Sequence, residues 1–189
     1  MKSAAIFLID GFEETEALTT VDILRRGGVE VTTVSLTGKP EVRGSHNITV
    51  RADALFEEAG DRPFDMLVIP GGTRNYIGHA GLKELAKKYA AEGKLVAAIC
   101  AAPTVLAEIG VLKGKKAVCY PSMENWLKDG GAMTGDDIVE TDGNITTAKG
   151  PAVTPFFALK LLEILQGRAM AEEVAEAFLI PMIKGASFR

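Results

Sequence analysis

One thiol in this chain stands where a buried strand would turn into a helix. The stretch "LVAAICAAPTVLAEIG" (95–110) runs from five apolar residues through Cys100 into a helical pattern. Ala98 and Ala102 near it are both small, as the strained strand-to-helix turn of a nucleophile elbow requires. The helix N-terminus beyond would favour a thiolate through its free N–H groups and its dipole. Pro103 suits the first turn, because it has no amide hydrogen to leave unpaired. A buried cysteine that merely packs fits the same pattern. The choice depends on what other elements bring to Cys100.

Two further stretches carry residue types that would make the thiol reactive. Gly71-Gly72 follows the apolar run "VIP". It reads either as a strand-ending turn or as an oxyanion site, with the Ala101 amide as the second donor. Glu13, Glu14 and Glu16 open a helix, where carboxylates complement the dipole for structural reasons. That reading suffices for Glu13 and Glu14. Glu16 adjoins the face marked by Ala17, Val21 and Leu24, which points it inward. Beside a thiolate its carboxyl would be driven toward the protonated form, able to donate to sulfur or to move a proton. His46 and His79 fall in loops and read as solvated, and Cys119 falls in a strand and reads as packing. Trp126 is alone and carries no signal. No residues have metal-ligand spacing, and no phosphate-binding or dinucleotide glycine pattern occurs.

The elements that must hold these groups alternate along the chain. "AAIFLI" (4–9), "VEVTTVSL" (29–36), "ITV" (48–50), "DMLVIP" (65–70), "LVAAI" (95–99) and "KKAVCYP" (115–121) read as strands. "IVETDGNITTAK" (138–149) reads as a hairpin turning at Asp142-Gly143. Helices are expected from the acidic cluster to Gly27-Gly28, then over about 79–92, 102–109, 122–129 and 170–179. A long helix to about 166 is capped by Thr154 and begun by Pro155. This alternation predicts a mostly parallel sheet with helices on both faces, whose sites form beyond the carboxyl ends of the strands. "IDGFEETE", "IPGGTRN" and "ICAAP" would then share one rim, so that Cys100, Glu16 and the Gly71-Gly72 amides meet there.

Composition narrows the partners. The 189 residues are 47% hydrophobic and 24% charged, as expected of one globular domain spanning 1–189. A net charge of −4 gives no basic field for nucleic acid or an anionic membrane. No apolar run approaches the roughly 20 residues needed to span a bilayer, and the one in "MKSAAIFLIDGFEE" is too short for a signal peptide. Two cysteines make no disulfide framework for a chain of this size, which points to a reducing cytoplasm.

Together "DGFEETEA", "DILRRGGVEV", "VIPGG", "AAICAAP" and "AKGPAVTPFFAL" resemble, in order, the ThiJ/PfpI family of the glutamine-amidotransferase-like superfamily, and within it the parkinsonism-associated deglycase branch. The resemblance implies a flavodoxin-like three-layer sandwich with a nucleophile elbow, usually assembled as a homodimer. It matches Cys100 to the family's reactive, oxidisable cysteine and Glu16 to its protonated glutamate partner. Gly72, with Gly71, and Ala101 match the amides that hold an oxyanion or a sulfinate oxygen. Arg26 and His46 match positions near the site and dimer interface, although the branch often has arginine where His46 stands. Two departures matter. Protease-like members carry histidine directly after the nucleophile, where this chain has Ala101. Some relatives carry histidine before the proline of the next strand, where this chain has Tyr120, a residue that could line the site.

These readings converge on a cofactor-free, metal-free enzyme acting on a small aldehyde. Cys100 would add to a dicarbonyl such as methylglyoxal, or to an early glycation adduct, and yield a hydroxy acid. The rival reading is a redox sensor or redox-regulated chaperone built on the same thiol. A cysteine peptidase or amidase is disfavoured by Ala101, and no residue argues for a role in thiazole biosynthesis.

Overall fold

The computed structural model describes residues 1–59 and 61–183. The chain forms β1 (Ser3–Leu8), α1 (Glu14–Arg26), β2 (Glu30–Ser35), β3 (Glu41–Arg43), β4 (Thr49–Arg51), β5 (Ala54–Leu55) and α2 (Phe56–Ala59). There follow β6 (Met66–Ile69), α3 (Ala80–Ala91), β7 (Leu95–Ile99), α4 (Ala102–Glu108), β8 (Lys116–Ala117) and α5 (Glu124–Asp129). The last elements are β9 (Met133–Thr134), β10 (Val139–Asp142), β11 (Ile145–Ala148), α6 (Thr154–Gln166) and α7 (Arg168–Ala177).

Seven strands make one sheet in the order β10-β11-β7-β6-β1-β2-β5, parallel except for β10. The central strands are covered on both faces, so "AIFL", "MLVI" and "VAAI" are apolar without alternation. One face packs Ala17, Val21 and Leu24 of α1 with Phe157, Leu161 and Leu162 of α6. The other packs Leu82 and Ala86 of α3, Val105 and Leu106 of α4, and Leu127 of α5. The expected flavodoxin-like three-layer sandwich is the fold observed. No helix among the described residues is long and apolar enough to cross a membrane.

The departures from expectation have local causes. Only Lys116–Ala117 of the stretch 115–121 is strand, and it pairs with β9 outside the main sheet. The position beside β11 is taken by β10, so Lys116 N–H donates to Asp142 Oδ2 (2.8 Å) and Val118 N–H to Thr147 Oγ1 (3.0 Å). The 48–50 strand exists as β4, but it pairs with the unanticipated β3 in a separate hairpin that lies against the loop after β1. The late hairpin turns at Gly143-Asn144, one residue beyond expectation, because Asp142 pairs with Ile145 and Gly143 takes the positive φ of 61°. Thr154 is the first residue of α6 rather than its cap, its hydroxyl donating to the Pro151 carbonyl at 2.8 Å.

Helix α1 fixes the approach of Glu16 to the sheet, and it lies against α6 through a glycine. A Cβ on Gly27 would overlap the methyl carbons of fully buried Leu162. Gly27→Ala is therefore expected to destabilise the protein by about 1–3 kcal/mol, through forced repacking. Urea denaturation checks this, and an unchanged midpoint would show that the α1–α6 contact has slack.

Candidate active site

From β1 the sheet grows outward through β2 to β5, and from β6 it grows the other way through β7 to β11. The switch point thus lies between β1 and β6, where crevices form beyond the carboxyl ends. Glu13–Glu16 follow β1, Gly71-Gly72 follow β6, and Cys100 follows β7. The topology brings the expected residues to one rim.

Cys100 has φ of 65°, a left-handed conformation that strains a residue with a side chain by about 1–3 kcal/mol. Its backbone is pinned on both sides. The amide donates to Ala148 C=O (2.9 Å) and the carbonyl accepts from Tyr120 N–H (2.8 Å). This is the elbow that the small flanking alanines anticipated. The turn leaves the residue 9% exposed, so it is nearly buried.

Glu16 has no solvent exposure. Its Oε2 accepts from Gly71 N–H at 2.7 Å, whereas Oε1 is buried without a hydrogen-bond partner. Glu13 caps α1, its Oε2 accepting from Glu16 N–H at 2.6 Å, and so holds the backbone that presents Glu16. Gly71 makes the meeting with Cys100 possible. A Cβ there would stand 2.5 Å from Cys100 Cβ, 2.7 Å from Glu16 Oε2 and 3.0 Å from the Ala101 nitrogen. The N–H groups of Gly72, at φ of 85°, and of Ala101 lie close enough to the sulfur to favour its charged form.

The electrostatics differ from the simple thiolate expected from a helix N-terminus. Burial pushes the Glu16 carboxyl from 4.5 up to about 7, opposed by the Gly71 N–H and the Cys100 thiol. Burial, then the charge and closeness of Glu16, push Cys100 from 9.0 up to about 12 against the Gly72 and Ala101 amides. Two acids in one dry pocket thus share a proton, and once Glu16 is ionised that proton stays on sulfur. Carboxylate–thiol and carboxylic acid–thiolate are two placements of the same proton.

The remaining candidates separate. Tyr120 stands at the rim, half exposed, beside an apolar groove of about 310 Å³ that Pro121, Gly150, Pro151 and Val153 also line. His46 is exposed and ion-paired rather than free in solvent, its Nδ1 lying 2.8 Å from Glu14 Oε2. Buried Glu14, read above as complementing the helix dipole, also accepts from His46 N–H (2.7 Å), Ile48 N–H (3.4 Å) and Ser45 Oγ (3.2 Å). It holds the loop after β3 in place. Glu13, Glu14 and His46 offer ligand atoms within 4.8 Å of one another, a proximity hidden in the sequence, but both Glu14 oxygens are already engaged by donors. Arg26 is not at the site. It ends α1, about 15 Å along the axis from Glu16, paired with Asp22 at 2.9 Å. His79 also departs from a solvated loop residue, since it caps α3 by accepting from Leu82 N–H at 3.0 Å. Cys119 is buried, as expected of packing. A larger cavity of about 510 Å³ between α2 and α3 reaches Lys94, at the amino end of β7 and so at the opposite edge of the sheet from Cys100.

Two expectations follow. Above the ordinary carboxylate range, ionising Glu16 penalises the folded state, because its raised affinity for a proton makes stability fall as pH rises from about 4.5 toward 7. Glu16→Gln should melt higher than the wild type at about pH 8 but not at about pH 5, and its Cys100 should alkylate at lower pH. Equal melting temperatures at both values would contradict the buried charge. In an NMR titration, His46 should titrate above 6.5, raised by its bond to Glu14, and His79 below it, lowered by burial. Glu14→Gln should return His46 toward its ordinary value.

Comparison with known proteins places the chain in a family. Dj-1beta of Drosophila melanogaster is 39% identical over 182 residues, covering 95% of this chain and 97% of that protein. The glutathione-independent glyoxalase DJR-1.2 of Caenorhabditis elegans is 32% identical over 169 residues, covering 88% and 90%. The oxidized DJ-1 of Toxoplasma gondii superposes with a TM-score of 0.90 at 35% identity, covering 95% of this chain and 98% of that one. The pattern of the DJ-1/PfpI family matches residues 2–164, and with the elbow, the buried glutamate and the paired glycines at the same rim, this chain belongs to that family.

Proposed function

We propose that the protein is a cofactor-independent glyoxalase or deglycase that converts methylglyoxal-like dicarbonyls, or early protein glycation adducts, to hydroxy acids. The observation that carries the reading is Glu16, fully buried beside Cys100 with one oxygen fixed by Gly71 and the other unpartnered. A carboxyl of that kind, held near neutrality, is suited to moving protons in both directions.

The sulfur adds to the aldehyde carbon, the carbonyl electron pair moves to oxygen, and the thiol proton passes by way of Glu16 to that oxygen. The product is a hemithioacetal. Amides of Gly72 and Ala101, which point at the sulfur, lie within reach of the oxyanion formed one bond away. Glu16 then removes the C–H proton from the hemithioacetal carbon and returns it to the neighbouring former carbonyl carbon, while the hydroxyl proton moves to that carbon's oxygen. The result is a thioester of the hydroxy acid, and water releases the acid and restores the thiol. Electrons balance within the substrate, so no external oxidant or reductant enters. The glyoxalase name of the Caenorhabditis elegans relative supports this class of reaction. The absence of a histidine at Ala101 or Tyr120 argues against a Cys-His peptidase.

The redox reading has one observation in its favour: two backbone N–H donors aimed at the sulfur would also hold a sulfinate oxygen. Against it stands the thiol raised to about 12, since oxidation begins from thiolate. A base that deprotonates the thiol only as the S–C bond forms overcomes that obstacle, which favours turnover. We place this activity in a reducing cytoplasm, consistent with two free cysteines, and in a homodimer, to which exposed Leu179, Met182 and Ile183 offer apolar surface.

The direct test is purified protein with methylglyoxal. Wild type should produce lactate, and Cys100→Ser and Glu16→Gln should each lose at least about a hundredfold in kcat/KM. Lactate formed by Cys100→Ser at the wild-type rate would overturn the mechanism. If peroxide oxidises Cys100 and Cys119 equally in peptide mass spectra, the redox reading falls.

A further inference from the structure

Arg74 lies two residues beyond Gly72 in the same loop, and its side chain crosses to α4, the helix that follows Cys100. Its Nε donates to Thr104 Oγ1 at 2.8 Å, and the same hydroxyl donates to the Ala101 carbonyl at 2.7 Å. Its guanidinium also pairs with Glu108 at the far end of α4, and lies 3.5 Å from the centroid of the Trp126 ring on α5. The side chain is 25% exposed and Thr104 is fully buried, so the Thr104 contact is the one most shielded from solvent. A guanidinium can serve all three at once, because its donors fork in a plane whose face remains free to stack.

The bridge ties the loop that follows Gly72 to the Ala101 carbonyl, and Gly72 and Ala101 are the residues whose amides favour a charged sulfur. Gly72 stands at one end, in a left-handed turn that glycine adopts without strain. Ala101 stands at the other, next to the strained Cys100. Backbone strain of this kind persists only where neighbouring structure over-determines it.

We propose that Arg74 is a positioning residue, which locks the Gly71-Gly72 loop onto the first turn of α4 through Thr104 so that the Gly72 and Ala101 amides converge on Cys100. The proposal rests on Cys100 being the reacting thiol, but not on which substrate it meets.

The test is the rate of Cys100 alkylation by iodoacetamide against pH, read by mass spectrometry for the wild type, Arg74→Met and Thr104→Val. Amides trained on sulfur favour thiolate, so loosening them should raise the apparent pKa. Both variants should therefore alkylate Cys100 more slowly near neutral pH, Arg74→Met by about tenfold, the equivalent of one unit. The rate at Cys119 should stay unchanged. A general loss of stability would instead speed alkylation of both Cys100 and buried Cys119. If Arg74→Met is unfolded at the assay temperature, Thr104→Val decides alone. A wild-type pH profile in folded Arg74→Met, or in Thr104→Val, would overturn the proposal. Because no dicarbonyl is turned over, failure here is distinct from failure of the lactate assay.

Discussion

Glu16 gives up all contact with water on folding, yet receives only one backbone N–H in return. Burying an ionised carboxylate with so little compensation is strongly unfavourable, and the group responds by holding its proton to higher pH. Most of what surrounds the site follows from that one desolvated carboxyl. Glu13 fixes its backbone, Gly71 is bare so that Cys100 can approach it, and the thiol beside it becomes the second member of a pair with one proton to share. A core apolar residue at this position would stabilise the fold more. Retaining a penalised acid next to a thiol is the arrangement expected of a proton-transfer site, where function is held at the expense of stability.

The scaffold solves a different difficulty, which is to hold a side chain-bearing residue at positive φ. Cys100 is gripped by Ala148 on one side and Tyr120 on the other, both through backbone hydrogen bonds. These partners belong to β11 and to the segment after β8, so the elbow is built from long-range pairing rather than from local sequence. The same pairing explains why this segment leaves the main sheet. The N–H groups of Lys116, Val118 and Tyr120 are taken by Asp142, Thr147 and Cys100 rather than by a neighbouring strand of the main sheet. A strand shortened to two residues is thus part of how the nucleophile is mounted.

Sequence reasoning reached the elements whose burial leaves a pattern. Uninterrupted apolar runs revealed the parallel strands, and the Ala17–Val21–Leu24 spacing revealed which way Glu16 points. From those two signals the meeting of Cys100, Glu16 and Gly71-Gly72 could be expected. What escaped was set by contacts with no periodicity. Glu14 looks like a dipole-favouring surface charge, and only the loop folded over it makes it a buried acceptor. Arg26 shares a helix with Glu16 but occupies the other end, a separation that motif order does not register. The proposed thiolate followed from a helix N-terminus alone, whereas burial and a second acid decide the charge on sulfur. Arg74 gave no sequence signal beyond its closeness to the glycines, since its partners lie on two other helices.

The shared proton can be observed directly. Infrared difference spectra recorded against pH, with Glu16→Gln as the reference, isolate the C=O stretch of the neutral Glu16 carboxyl. That band should persist well above the ordinary 4.5 and disappear with a midpoint close to 7. In Cys100→Ser, which removes the thiol, the neutral carboxyl band should still be present above the ordinary carboxylate range. A Glu16 carboxyl already ionised at about pH 5 would contradict the buried, proton-sharing pair on which this reading of the site depends.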